Sequence, residues 1–173
     1  MLQVNHFGPF LFTNLLLDRI VESSPSRIVN VSSMASYWCS YKDFDDVKLD
    51  KTPFSGCQAY NLSKLENILF TRALARKLYE KKVTVNCLHP GLVATDIFRN
   101  VALWLVLLLW PFSKSCQEGS QTTIYLAVAD EVEHVSGMYF DNCKPKIPPM
   151  SALDDSNVEK LWDCSEKVTG LKK

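Results

Sequence analysis

The stretch R-I-V-N-V-S-S, residues 27–33, decides how the rest of the chain is read. Residues 27–32 form a short, nearly continuous apolar run, and the two hydroxyls of Ser32 and Ser33 stand at its end. Such a run suits a parallel strand buried on both faces. Upstream, Phe7, Phe10, Leu11, Leu15, Leu16, Ile20 and Val21 recur at helical spacing over residues 4–22, and Ser24-Pro25-Ser26 breaks the pattern. Downstream, a loop reaches to about residue 56 and carries the acidic run D-F-D-D-V-K-L-D-K, residues 43–51. A loop of that length in a compact domain marks a functional segment. A helix is predicted over residues 57–80, and V-T-V-N-C-L-H, residues 83–89, is a second buried strand closed by Pro90-Gly91. Ser115 with Glu118 reads as a capping box that opens a helix bearing Ile124, Leu126, Ala127 and Ala129. Residues 136–141 are a third strand, and Ser156 with Glu159 opens a last helix running to about Val168. Helix and strand thus alternate as in an α/β fold with a parallel sheet, here of three strands.

The totals bound the function. The chain has 173 residues, 47% of them apolar, enough for one domain with a sizeable core. Nineteen basic and nineteen acidic residues cancel, so there is no basic field of the kind nucleic acid requires. The six cysteines are scattered with no C-x-x-C pair, which argues against a zinc ribbon or a redox dithiol and for reduced thiols. The three histidines lie too far apart for a local metal motif. N-V-S at 30–32 and N-L-S at 61–63 fit the glycosylation pattern, but both fall inside predicted strand or helix and are rejected as acceptors. No basic segment followed by an apolar stretch and a cleavage site opens the chain.

The chemistry sits in C-Q-A-Y-N-L-S-K-L-E-N, residues 57–67. On a helix, Leu62, Leu65, Leu69 and Ala73 form one stripe, while Tyr60, Lys64, Asn67 and Thr71 form another. Residues four apart are neighbours, so the Lys64 ammonium can approach the Tyr60 ring. A cation there favours the ionised phenol, which suits a group that donates and accepts protons. Y-x-x-x-K alone also describes any surface pair. What adds weight is the N-V-S-S at one strand end and the H-P-G at the next, since ligands of open α/β sheets gather at the carboxyl ends of strands.

With these pieces the chain resembles the short-chain dehydrogenase/reductase family. V-N-H-F-G-P-F, R-I-V-N-V-S-S, Y-N-L-S-K and H-P-G-L-V-A-T-D match in order, and S-G-M-Y-F-D-N-C-K with L-W-D-C-S-E-K-V-T-G-L is similar to the retinol-dehydrogenase-like branch. The resemblance implies an α/β fold, a partial Rossmann-type doubly wound parallel sheet corresponding to the C-terminal half of the family's domain, with residues 1–173 one incomplete unit. It implies catalytic roles for Asn5, Ser33, Tyr60 and Lys64. Tyr60 is the general acid/base, Lys64 favours its phenolate and holds the nicotinamide ribose, Ser33 positions the substrate oxygen, and Asn5 supports a water relay. Cofactor contacts are implied for Tyr60, Lys64, Pro90, Gly91 and Thr95, with NADP(H) rather than NAD(H) as the cofactor. An apolar alcohol, retinol-like, or its carbonyl is the implied substrate.

The family opens with a strand and a glycine-rich turn that cradles the pyrophosphate. The glycines here are Gly8, Gly56, Gly91, Gly119, Gly137 and Gly170, and no G-x-x-x-G-x-G can be written from them. The expectation is a truncated form, inactive alone, whose first strand shows a bare apolar edge. The alternative expectation is a non-enzymatic interaction module. The family's helices equivalent to 4–22 and 57–80 commonly pair, which implies a homodimer or pairing with a full-length relative.

Residues 101–112, V-A-L-W-L-V-L-L-L-W-P-F, carry no charge. A helix of that length spans about 18 Å, short of the roughly 30 Å hydrocarbon core. The resemblance implies that residues 97–114 are an apolar substrate lid, which also rests on a membrane surface through Trp104 and Trp110; the alternative reading of the run is a plain buried core helix. The implied location is intracellular: cytoplasmic, or the cytosolic face of the endoplasmic reticulum or a mitochondrial membrane.

Overall fold

The structure is a computed structural model and describes residues 1–39, 55–94, 111 and 113–171. The first helical stretch has a π-helical turn, Gln3–Phe7, followed by α1 (Gly8–Leu15) and α2 (Leu17–Glu22). Strand β1 is Ser26–Val31, and a 3-10 turn, Met34–Trp38, follows it. Helix α3 is Gly56–Lys77 and β2 is Val83–His89. After α4 (Cys116–Val128) come two short strands, β3 (Tyr139–Asp141) and β4 (Lys144–Lys146). A short helix α5 (Met150–Leu153) leads into α6 (Asp155–Thr169).

The four strands lie in the order β1-β2-β3-β4. β1 and β3 both run parallel to β2, with Ser26 opposite Val83 and Cys87 opposite Tyr139. β4 is antiparallel to β3, an addition to the expected three strands. It is short and polar, K-P-K, and its hairpin turns on Asn142 and Cys143, both at positive φ. Helical and strand periodicity over three residues cannot be told apart, which is why it left no signal. β3 is shorter than the predicted 136–141 because the approach to it is held irregularly. Gly137 has φ +80°, and Ser136 Oγ accepts the Val85 N–H at 3.0 Å.

Side chains alternate across the sheet and build a core on each face. Ile28, Val83, Val85, Cys87 and Tyr139 pack with α1, α3 and α6. Val29, Leu88 and Phe140 pack with Leu126 and Val132. Arg27 ties β1 to the end of α4 by donating to the Ala129 carbonyl at 2.7 Å, a favourable place for a cation. β2 is buried as predicted, but β1 is only half-buried. It is the outer strand of the described sheet, so the expectation of burial on both faces gives way to the expected bare edge.

Both bonds of the Ser115–Glu118 capping box are present. The predicted Ser156 box is not the start of α6. Asp154 is the cap, and its carboxylate accepts the Ser156 N–H at 2.9 Å. Among the described residues no disulfide is present.

Helix α3 is buried from Asn61 to Ala75 save Lys64 and Arg72. α6 lies over the outer side of α1 and α3, with the Trp162 ring 5.0 Å from Phe10 and 6.1 Å from Phe70. Part of the helical surface expected to pair with another chain is therefore already covered within this one. Two ionisable groups enter this core. His6 is fully buried with its Nε2 2.8 Å from Ser165 Oγ, and burial lowers its pKa to about 3. Glu66 is fully buried, and neither carboxylate oxygen has a partner among the described residues. Burial raises its pKa well above the usual carboxylate range.

The two groups act on stability with opposite sign. The unfolded chain takes up the His6 proton more readily than the folded one, so that contribution to stability falls as pH drops below about 6.5. Glu66 is the reverse. The folded chain keeps its proton where the unfolded chain has lost it, so stability declines as pH rises above the unfolded carboxylate pKa. Replacing Glu66 by Met, unbranched and of similar reach, removes that penalty. Urea unfolding at pH 8 should show Glu66→Met more stable than wild type by about 1–3 kcal/mol, with the difference shrinking toward pH 4.5. A difference independent of pH would show that Glu66 is not buried in ionisable form.

Candidate active site

Ser55 caps α3. Its Oγ accepts the Gln58 N–H at 3.3 Å while Gln58 Oε1 accepts the Ser55 N–H at 3.2 Å. This reciprocal pair fixes where the helix begins and so places Tyr60 in its second turn. Lys64 follows one turn on, with Nζ 5.6 Å from the centre of the Tyr60 ring. The ammonium and the phenol therefore share one face, as the four-residue spacing requires. Lys64 Nζ also donates to the Val31 carbonyl at 3.2 Å, and burial lowers its pKa.

Three residues of the polar stripe of α3, Lys64, Asn67 and Thr71, are fastened to the carboxyl end of β1. Asn67 Nδ2 donates to the same Val31 carbonyl at 3.1 Å, and Asn30 Nδ2 donates to Thr71 Oγ1 at 2.8 Å. Ser32 Oγ donates to the Lys64 carbonyl at 2.6 Å. Ser32 is thus the structural serine of the pair. Ser33 lies one residue beyond, half-buried, where its Oγ caps the following 3-10 turn by accepting the Ala35 N–H at 3.2 Å. Ser33, Tyr60 and Lys64 accordingly belong to one end of the sheet.

Asn5 reaches α3 from the π-helical turn, donating to Ser63 Oγ at 3.1 Å. Ser63 adjoins Lys64 in sequence but lies about 100° around the helix, so the Asn5 side chain meets α3 on a different face from the Lys64 ammonium. A π turn at such a position is itself a common mark of a functional segment. Pro90 and Gly91 leave the end of β2. Gly91 has φ +94°, and a Cβ there would lie 2.8 Å from the Lys114 side chain. Thr95 and most of the 97–114 lid lie outside the described residues. The end of that segment is described: Lys114 N–H donates to Leu92 O at 2.7 Å and Ala94 N–H donates to Lys114 O at 2.9 Å.

Three residues escaped sequence reasoning. Asn67 was legible only as part of a polar stripe, yet it shares the Val31 carbonyl with Lys64. Lys114 donates to Asn142 Oδ1 at 2.6 Å and covers Gly91. His89 Nδ1 accepts the Met34 N–H at 3.2 Å, which ties the Ser33 turn to β2, and burial lowers its pKa, favouring the neutral ring that can accept. None of these pairs has a sequence spacing that would reveal it. The rejected glycosylation asparagines are both engaged, Asn30 with Thr71 and Asn61 with the Trp38 carbonyl.

Residues 48–105 match the family model for short chain dehydrogenase. Human retinol dehydrogenase 14 is 48% identical over 98% of this chain, and human retinol dehydrogenase 13 is 42% identical over 97%. The chain belongs to the short-chain dehydrogenase/reductase family. It spans about half the length of these relatives, 52% and 53% respectively. An uncharacterised protein from Mycobacterium paratuberculosis has the same fold, with a TM-score of 0.74 and 28% identity over 98% of this chain and 58% of its own. The family's cofactors are nicotinamide dinucleotides, and the Rossmann-type fold expected from the sequence is the fold found.

Gly91, at φ +94°, lies beneath the Lys114 side chain, and the Lys64 ammonium is held on the Val31 carbonyl. Among the described residues no glycine-rich turn opens a helix to receive a pyrophosphate. Gly91→Ala should lose about 1–2 kcal/mol of stability from the left-handed backbone alone. Lys114→Ala should not restore it, because relieving the side-chain contact leaves φ unchanged. Chemical denaturation of the single and double variants checks both.

Proposed function

We propose that residues 1–173 carry the proton-transfer half of an oxidoreductase that interconverts an apolar alcohol of retinol type and its aldehyde or ketone with NADP(H). The observation that carries this reading is the Lys64 ammonium 5.6 Å from the Tyr60 ring, held at the carboxyl end of β1 by the Val31 carbonyl. The nicotinamide, when bound, supplies or takes up the hydride. The chain's own part is proton transfer and orientation. In reduction the Tyr60 hydroxyl donates its proton to the substrate oxygen, and in oxidation the phenolate takes it back. Ser33 holds that oxygen by a hydrogen bond. Lys64 stabilises the phenolate and holds the ribose hydroxyls, and Asn5 supports the route by which Tyr60 exchanges its proton with water. Pro90, Gly91 and Thr95 form the nicotinamide side. The apolar run 101–112 and the names of the relatives support a lipidic substrate.

Residues 1–173 offer no glycine-rich turn, so we expect no turnover from them alone. Joined to the preceding half of human retinol dehydrogenase 14, they should reduce retinal with NADPH. Tyr60→Phe in that chimera should lower kcat by about 10²–10⁴-fold with little change in NADPH affinity by fluorescence titration. A chimera that keeps its rate after Tyr60→Phe sinks the reading.

The open edge of β1 favours a second reading, an interaction module that binds a relative. Both readings accommodate membrane contact through 101–112, on the cytosolic face of the endoplasmic reticulum or a mitochondrion. No helix among the described residues is long and apolar enough to cross a bilayer. Liposome flotation should therefore be lost when Leu107 and Leu108 are both replaced by Asp. Flotation that survives the double change excludes this anchor.

A further inference from the structure

One imidazole joins β2 to the turn that follows β1. His89, the last residue of β2, is buried, and its Nδ1 accepts the Met34 N–H at 3.2 Å. A backbone N–H can only donate, so Nδ1 carries no proton and the neutral ring keeps its proton on Nε2. The bond grips the peptide between Ser33 and Met34 at its N–H. The other end of that peptide is gripped as well. The Ser33 carbonyl accepts the Ser36 N–H at 3.1 Å and the Ser36 hydroxyl at 2.8 Å. On this fixed peptide, Ser33 Oγ accepts the Ala35 N–H at 3.2 Å, which leaves the hydroxyl proton for a substrate oxygen.

We propose that His89 is the positioning residue for the Ser33 hydroxyl: as a neutral acceptor it holds the Ser33–Met34 peptide against the end of β2, and on protonation it releases that peptide. This rests on the reading of Ser33 as the group that holds the substrate oxygen. His89 runs directly into Pro90-Gly91. One residue therefore sets the turn of Ser33 against the turn assigned above to the nicotinamide side.

The surroundings keep the ring neutral. In the parallel register His89 stands beside Asp141 of β3, on the same face of the sheet. A lone carboxylate there would favour the imidazolium, but Asp141 Oδ2 lies 2.8 Å from the Lys146 ammonium of β4. Burial is the largest cause of the lowered His89 pKa; Asp141 opposes it, and Lys146 and Lys114, the latter just ahead of α4, add to it. Cys87, two residues back on the same face, and Tyr139 beside it are uncharged, because burial raises both pKa values. Lys146 also stands 5.8 Å from the centre of the Tyr37 ring, and Tyr37 Oη donates to the Ile147 carbonyl. The turn Met34–Trp38 is thus tied at its first residue by His89 and at its fourth by the segment around β4. A protonated ring has a donor on each nitrogen and none to accept with. The Met34 bond therefore exists above the His89 pKa and is lost below it, an acid limb.

The test is NMR of ¹⁵N-labelled residues 1–173. At neutral pH the His89 ring should be the neutral Nε2–H tautomer. As pH falls, the protection factor of the Met34 amide should drop by about tenfold, and the Ser33 signals should shift, both with the midpoint of the His89 titration. His89→Asn places an acceptor near the position of Nδ1 and cannot titrate. It should keep Met34 protection within about threefold and abolish the pH dependence. His89→Leu has no acceptor and should lose about tenfold in protection at every pH. Lys146→Met leaves Asp141 to act on the ring alone, so the midpoint should move to higher pH. A ring protonated on Nδ1 at neutral pH overturns the proposal, as do Met34 and Ser33 signals that ignore the His89 titration. Full Met34 protection in His89→Leu overturns it too. Should that variant fold poorly, His89→Asn and Lys146→Met decide. In the retinol dehydrogenase 14 chimera, His89→Asn should keep kcat within about threefold and remove the acid limb that has the His89 midpoint, while His89→Leu should lower kcat by about tenfold. A chimera whose rate survives Ser33→Ala removes the role given to Ser33 in the reaction and leaves the His89–Met34 coupling standing.

Discussion

The carbonyl of Val31 is the point on which the site depends. It ends the outer strand of the sheet, and two side chains from successive turns of α3 converge on it. With the Ser32–Lys64 and Asn30–Thr71 bonds, they fasten the helix to the strand along its polar stripe. Each such bond contributes about 1 kcal/mol net, so their joint effect is on position more than on stability. They set the rotation of α3 against β1, and that rotation decides where Tyr60 and Lys64 stand relative to Ser33.

The opposite faces of α3 supply the stability. From Asn61 to Ala75 the helix is enclosed by the sheet, the π turn and α6, and the aromatic group of Phe10, Phe70 and Trp162 closes the packing. A helix buried on so many sides holds its residues rigidly, which suits proton transfer, where small misplacements are costly. The same enclosure confines His6 and Glu66 as uncharged groups. The candidate site and the core thus lie back to back on one helix: a polar stripe against the strand end, and on the other faces mainly apolar residues with Asn61, Ser63 and Glu66 buried among them.

The elements with long, regular patterns were legible in the sequence. β2 occupies the predicted residues 83–89, α3 begins one residue early, and the Ser115 cap is where S-x-x-E placed it. Short or irregular pieces were not. β4 has three polar residues and no period, and β3 is trimmed by the Ser136–Gly137 approach. The start of α6 shifted because Asp154 competes successfully with Ser156 for the cap, two residue types equally fitted to it. Of the site, Tyr60 and Lys64 were legible because four residues on a helix is a local distance.

By itself, then, the sequence determined the α/β alternation, the family, and the shared face of Tyr60 and Lys64, because helical and strand periods are properties of consecutive residues. Only the tertiary structure decided that Ser32 rather than Ser33 grips the helix, and that Lys64 and Asn67 meet on one carbonyl of an open edge. It also decided that His89 and Lys114 brace the turns beside them. These are contacts between segments more than twenty residues apart, and no periodicity encodes them. They are set by how far each strand extends before its neighbour stops, which the packed sheet alone fixes.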